Sequence, residues 1–364
     1  MRPDTLELDE TPPLHAVASP LTALDEDAVR LALGGGSVVD WAGMSFRTND
    51  EVNNFFKLWL CDVTKHEWAR ERLRYLYNQA VNYLEEHVGL TFKSEVRRPR
   101  DVRDAFLRAS MRDSFSRHRI QYCAILKLMH VINHLEMQEL RNQCAIREVD
   151  LIELANNVVL GKAQQMRAEG FPLRAFFGNR KTRPSVITKL LAKREATAAT
   201  VFDKLRFRIV TETKDDVVPA IAWLFRHLLP FPAIIPGESH NNLLSPREVL
   251  SHTRDPAEIA QMIPPDEEET ISANPDSGGV YRVVNFIVDL PVRVYDLPGL
   301  PLPKNRALLG EAVHVLTEFQ VVDAQTDLLN ESGENRHDLY KSRQKGRVYA
   351  RLGRTLHAHR DNPS

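Results

Sequence analysis

Cysteine is scarce in this chain. Of 364 residues only Cys61, Cys123 and Cys144 are cysteines, and no two of them form a C-x-x-C pair. So sparse and odd a set excludes a disulfide framework and suggests a reducing compartment. Excess charge of one sign is also missing: Lys+Arg is 48 and Asp+Glu is 49, for a net charge of -1. Nothing in that balance demands nucleic acid or an anionic membrane, although local basic clusters remain available to phosphates. Long apolar runs are absent too. The longest, 217–232 (VVPAIAWLFRHLLPFP), is interrupted by Arg226 and His227 and is too short to span a bilayer. The opening MRPDTLELDETPP is acidic and carries no apolar core of a secretory signal. The expectation is a cytoplasmic protein with no membrane partner. Internal repeats and coiled-coil heptads are lacking as well.

What is present suggests two regions, as the length favours. Residues 1–40, with Pro, Asp, Glu and the Gly34-Gly35-Gly36 run, read as a flexible lead-in. Residues 41–172 read as helical. Val52, Phe55, Phe56 and Trp59 share one helix face, with Asn49 as the expected N-cap. A second helix ends near Gly89, a charged break falls at Pro99, and helices resume at about 103–134 and 150–169 before Gly170-Phe171-Pro172.

From residue 173 to the C-terminus the texture changes. Leu205–Thr211, Tyr281–Leu290 and Val313–Val322 read as strands, 217–229 as a helix, and 334–356 as a basic helix. An insertion at about 232–278 contains the loop-like 264–277 (PPDEEETISANPDS). Together these give an α+β fold, a helical N-terminal half followed by a mixed β-sheet flanked by helices.

Four segments of the second half carry candidate chemistry. Lys181, Arg183, Ser185 and Lys189, followed by Lys193 and Arg194, form a cationic start of a helix, suited to phosphates or else a solvated face. Asp203 precedes an apolar strand and either faces a cleft or caps a turn. The Gly278-Gly279 pair before Tyr281 admits close backbone approach and base stacking, or makes an ordinary hairpin turn. Glu318 lies inside an apolar strand. It should point at a cleft, a cation or an Arg, unless the strand is an edge that faces water. In the helical half, His130 and His134 stand at i, i+4 beside Glu136. Without a second ligand cluster nearby in the sequence, they read as ordinary helix histidines.

These segments, in this order, resemble motifs of the RelA/SpoT-family (p)ppGpp synthetases over about 176–341. Ser185 to Lys189 is similar to the family's Ser-x-x-x-Lys, with Lys181 four residues earlier. Asp203 to Val210 resembles its Asp-Leu-x-x-x-Arg strand, placing Arg208 at the Arg. Glu212 to Val217 matches Glu-Thr-x-x-Asp-Val, and Gly279-Val280-Tyr281 is similar to Asn-Gly-Tyr with one residue added. Glu318-Phe319-Gln320-Val321 resembles Glu-Ile-Gln-Ile, and His337 to Lys341 is close to His-x-Leu-x-Tyr-Lys.

The resemblance implies a nucleotidyltransferase fold and Mg²⁺-dependent pyrophosphate transfer from ATP to a nucleotide hydroxyl, the chemistry that makes the alarmone of the stringent response. By this resemblance Asp203 and Glu318 are the catalytic metal ligands. Lys181, Arg183, Ser185, Lys189, Arg208, Tyr281 and Asn285 lie on the substrate and phosphate side. The chain departs from the family where Asn285 replaces a His and Val322 an Arg, and where the Lys-Asp-Tyr and Pro-Lys segments are not evident. These changes leave the carboxylates and alter the acceptor side. The helical half lacks the family's His-Asp hydrolase signature. Three readings stay open: a pyrophosphokinase or nucleotidyltransferase, a degenerate nucleotide-binding module, and a transferase acting on RNA ends. The basic tail (Lys341, Arg343, Lys345, Arg347, Arg351, Arg354) would suit RNA, though such a tail is more often a solvated helix. Self-association stays open as well.

Overall fold

A computed structural model of the chain describes residues 21–34, 44–111, 117–192, 204–252, 281–297, 299–301, 306–331, 346 and 348–350. The chain is α+β, with a helical first half and a five-stranded mixed sheet in the second. Among the described residues no helix is long and apolar enough to cross a membrane.

The helical half follows its sequence signals in outline, except that the helix expected over about 103–134 is two helices, Arg103–Ser110 and Arg117–Gln143. Helix α2 is Asn49–Leu58, but its N-cap is Thr48 and not the expected Asn49. The reason is a capping box. Thr48 Oγ1 accepts from the Glu51 amide at 3.2 Å, and Glu51 returns a carboxylate to the Thr48 amide at 3.0 Å. Helix α3 (Glu67–Glu86) stops before Gly89, which sits at φ +75° where a side chain would be strained. After the short α4 (Ser94–Arg97) and the Pro99 break come α5 (Arg103–Ser110), α6 (Arg117–Gln143) and α7 (Glu148–Ala168), closed by Gly170 at φ +78°. Phe55, Phe56 and Phe106 pack edge-on where α2 meets α5. Arg72 of α3 is buried, and donates to Glu136 of α6 at 2.5 Å and to Asn133 at 2.9 Å.

Other elements depart from expectation. Residues Ala23–Gly34, expected within a loose lead-in, form helix α1. Ala28, Val29 and Ala32 are buried, and Asp25 accepts two hydrogen bonds from Arg226, at 2.8 and 2.6 Å. That partner lies 201 residues away, so no local pattern reveals it. Strand β1, Leu173–Arg180, had no sequence signal. A register shift between Leu173 and Ala175 breaks its alternation, and Gly178 and Asn179 are poor strand formers.

Helix α8 (Arg183–Ala192) follows β1, and strand β2 is Leu205–Thr211. Helix α9 (Val217–His227) leads through a connection containing a single 3-10 turn (Phe231–Ala233) to β3 (His240–Asn241) and α10 (Pro246–Leu250). Part of the expected insertion therefore supplies the edge strand β3, while 253–280, including the loop-like stretch, lies outside the described residues. Strand β4 is Val284–Arg293, three residues later than expected. Helix α11 (Arg306–Leu309), strand β5 (Ala312–Asp323) and helix α12 (Ala324–Glu331) complete the fold. Most of the expected basic helix lies outside the described residues.

The strand order is β1-β2-β5-β4-β3. β2 and β5 run parallel, and the other neighbours are antiparallel. One face of the sheet is aromatic. Phe176, Phe207, Phe319 and Phe286 come from four successive strands, with ring centroids 5.9, 5.6 and 5.7 Å apart, and Phe225 of α9 continues the ladder at 5.9 Å. Helix α7 closes over the same face at Gly178, where an added Cβ would meet Asn156 Oδ1 at 3.0 Å and the Phe207 ring at 3.1 Å. Buried apolar residues from both halves form one continuous core.

Phe319 lies at the centre of the ladder and is fully buried. Phe319→Ala should lower unfolding free energy by about 3–5 kcal/mol. Urea denaturation measures this, and a loss below about 1 kcal/mol would contradict a ladder packed to core density.

Candidate functional site

The second face of the same sheet is polar. Because paired residues share a face, the register places Phe177, Arg208, Gln320, Asn285 and His240 in one row across all five strands. The adjacent row is Asn179, Arg206, Glu318 and Ile287. Period-two alternation explains both faces at once, since Phe207 and Phe319 point one way and Arg206, Arg208, Glu318 and Gln320 the other.

Glu318 is 8% exposed, and β5 is the central strand, which excludes the edge-strand explanation of its carboxylate. Its Oε1 accepts from Gln320 Nε2 at 3.0 Å, and Arg206 stands opposite it on β2. Asn285 faces Gln320 from β4, with its Oδ1 buried and without a hydrogen-bond partner among the described residues.

Arg208 and Tyr281 are brought together. Arg208 Nη1 donates to the Tyr281 hydroxyl at 2.7 Å, its guanidinium carbon lies 5.8 Å from the ring centroid, and its Nε donates to Asp327 of α12 at 2.7 Å. Burial disfavours the charged guanidinium, but Tyr281 and Asp327 outweigh it and raise the Arg208 pKa above its ordinary value. The backbone around Tyr281 is held by two amide side chains. Asn242 donates to the Tyr281 carbonyl at 2.6 Å and accepts from the Val283 amide at 2.7 Å. Asn330 accepts from the Arg282 amide at 2.9 Å and returns a bond to its carbonyl at 2.7 Å.

The other expected site residues stand apart from this row or outside the description. Asp203 lies outside the described residues, as do Lys193, Arg194, Gly278 to Val280 and His337 to Lys341. Lys181 follows the edge strand β1, its amide donating to the Lys204 carbonyl at 2.9 Å. Arg183, Ser185 and Lys189 lie on α8, none of whose described side chains is buried. Ser185 Oγ is 3.0 Å from Thr182 Oγ1. The Glu212 to Val217 motif has a structural use: Asp216 accepts from the Thr213 amide at 2.9 Å and hydroxyl at 2.6 Å at the entry to α9.

Sequence reasoning missed Arg206, Gln320, Asn242, Asp327 and Asn330 as members of this region. Gln320 carried a usable signal, two positions from Glu318 on the same strand face. Asp327 and Asn330 carried none, because their relevance depends on where α12 returns against the sheet.

No protein-family model matches the chain, and no curated protein matches it. Solved structures are similar to it. Small alarmone synthetase 1 from Bacillus subtilis is 15% identical, with a TM-score of 0.31 over 59% of this chain and 92% of that one. The same synthetase bound to its product pppGpp gives 15%, 0.32, 59% and 93%. A GTP pyrophosphokinase family protein from Streptococcus pneumoniae gives 16%, 0.28, 62% and 94%. At these values the likeness assigns neither an activity nor a ligand to this chain.

The Arg208 contacts predict a measurable coupling. Asp327→Ala should cost about 1.5–3 kcal/mol, since it removes an ionic partner, and Tyr281→Phe about 0.5–1.5 kcal/mol. Because both groups hold one guanidinium, the double variant should deviate from the sum of the singles by at least about 0.5 kcal/mol. Strict additivity in urea denaturation would show that Arg208 does not bridge them.

Proposed function

We propose that the polar sheet face binds nucleotides and that the protein transfers pyrophosphate, or a nucleotidyl group, from ATP to a nucleotide hydroxyl with Mg²⁺. One observation carries this reading: a nearly buried carboxylate, Glu318, sits on the central strand amid Arg206, Gln320 and Asn285. The motif resemblance over 176–341 supports it.

The donors present suit the ion. Mg²⁺ prefers hard oxygen ligands, and the face offers the Glu318 carboxylate and the buried Asn285 Oδ1, to which Asp203 would add a second carboxylate. The ion, when bound, would neutralise charge on the phosphoryl oxygens. The chain's own groups would do the rest. Arg206 and Lys181 supply positive charge for the triphosphate. Tyr281, fixed by Asn242 and Asn330, offers a ring against a base. In the transfer, the acceptor hydroxyl oxygen bonds to the β-phosphorus of ATP. The bond from that phosphorus to the oxygen bridging it to the α-phosphorus breaks, AMP leaves, and the hydroxyl proton passes to solvent or a base.

A second reading, a nucleotide-binding module without turnover, is favoured by Arg208. Its guanidinium is committed to Asp327 and Tyr281 instead of being presented to a phosphate.

The test is incubation with γ-labelled ATP, Mg²⁺ and a panel of nucleotides and tRNA, followed by chromatography. The expected result is label on one acceptor with matching AMP. Glu318→Gln should lower turnover by roughly 100-fold or more and change nucleotide affinity much less, because a metal-bridging carboxylate acts mainly on the transition state. Undiminished turnover in that variant would end the assignment of Glu318. ATP binding by the wild type with neither a labelled acceptor nor released labelled pyrophosphate would establish the binding module, and label on tRNA alone the RNA-end transferase.

A further inference from the structure

The helix histidines expected to be ordinary do not behave alike in the fold. Glu136, their sequence neighbour, is engaged by Arg72 and Tyr75. His130 packs against the Trp59 ring with centroids 5.9 Å apart. His134 instead reaches the sheet, where it meets Asp289 of β4 and His314 of β5. These residues supply the second ligand cluster that the sequence around His134 lacks.

His134 Nδ1 lies 3.7 Å from Asp289 Oδ2, and His314 Nδ1 lies 3.8 Å from that same oxygen. One ligand atom from each of the three residues falls within 4.8 Å of the others. Both separations to the carboxylate exceed hydrogen-bond length. His314 is the clearest sign that the cluster serves a further purpose. Its side chain is 4% exposed, and neither ring nitrogen has a hydrogen-bond partner among the described residues. A buried imidazole left in that state carries a desolvation penalty that a ligand would relieve.

We propose that His134, Asp289 and His314 form a binding site for one late first-row divalent cation, Zn²⁺ foremost. Ligand lengths of about 2.0–2.2 Å put neighbouring donors of a tetrahedral site roughly 3.4 Å apart, so small side-chain rotations close the triad on an ion. Two imidazoles and a carboxylate suit Zn²⁺ and its neighbours, not Mg²⁺, which takes oxygen donors. Burial holds the His314 imidazole pKa well below its ordinary value and so keeps the neutral form that ligates metals. The Trp59 ring, 5.7 Å from the His314 ring, contributes an apolar wall. Three protein ligands leave a fourth position for water.

This site lies on the same face of the sheet as the proposed nucleotide row, towards the end where β5 begins and β4 finishes. His314 is four residues along β5 from Glu318, roughly 13 Å at about 3.3 Å per residue, and Asp289 is two residues along β4 from Ile287, the partner of Glu318, or roughly 7 Å. The ion would join α6 of the helical half to β4 and β5, so its binding stabilises the packing of one half on the other.

The experiment uses the full chain, stripped with a chelator and free of nucleotide, so its outcome is independent of the transfer assay. Zn²⁺ is titrated by calorimetry, Co²⁺ by visible absorption, and melting is followed with and without Zn²⁺. One equivalent should bind, with tetrahedral-type Co²⁺ bands and a raised Tm. His134→Gln and Asp289→Asn should each weaken Zn²⁺ binding by roughly 100-fold or more and abolish the Co²⁺ bands. His134 is 37% exposed, so its variant should keep the wild-type circular dichroism even if a His314 variant fails to fold. Wild-type protein that binds neither ion, or variants that bind as tightly as wild type, would overturn the site.

Discussion

Parallel pairing of β2 with β5 sets the two faces of the sheet, and with them nearly everything else in the second half. The register pairs Phe207 with Phe319 and, one residue earlier, Arg206 with Glu318. Because side chains alternate, a slip of one residue would place Glu318 on the aromatic face and a phenylalanine on the polar one. Burying an unpaired carboxylate there costs several kcal/mol, so the aromatic ladder and the polar row fix the same register from opposite sides. The stacked Phe207, Phe319 and Phe286 rings are therefore part of what positions Glu318, although none of them lies on its face.

On the polar face, positioning is done by groups that lie far apart in sequence. Arg208 is tied to Asp327, 119 residues on, and to Tyr281, 73 residues on. The backbone at 281–283 takes its bonds from Asn242 on one side and Asn330 on the other. These amides do for the lead-in of β4 what a neighbouring strand would do, satisfying backbone donors and acceptors where the regular ladder has not begun. That explains why β4 starts at Val284 and not at Tyr281: the alternating pattern is continuous, but the pairing partner is a side chain for the first residues.

The parts of the fold legible in the sequence were those governed by local physics. Helix periodicity gave α2 and α3, the glycines at 89 and 170 ended helices at positive φ, and alternation gave β2 at its observed bounds. The capping box shifted one expected N-cap by a single residue. What stayed hidden depended on distant partners. Helix α1 is ordered by Arg226, β1 is disguised by its register shift, and His134 gains meaning only from Asp289 and His314. The candidate site was legible in outline, since Glu318, Asn285, Arg208 and Tyr281 do gather on one face. The motif at 212–217 was legible as a pattern but not as a helix cap.

Strand β5 is where the two halves of the chain become mechanically one. Its first residues meet the helical half: His314 lies 5.7 Å from the Trp59 ring of the segment after α2 and 4.8 Å from the His134 ring of α6. Its later residues, Glu318 and Gln320, carry the polar row, and its end passes directly into α12, which supplies Asp327 to Arg208. β5 is paired with β4 from Ala312 to Val321 and with β2 from Thr317 to Asp323, and this ladder resists local bending between His314 and Glu318. Any load applied at His314 is therefore borne by the same rigid element that holds Glu318, four residues away. The helical half thus reaches the candidate nucleotide face through one strand, and the packing of α6 on the sheet is a physical input to that face.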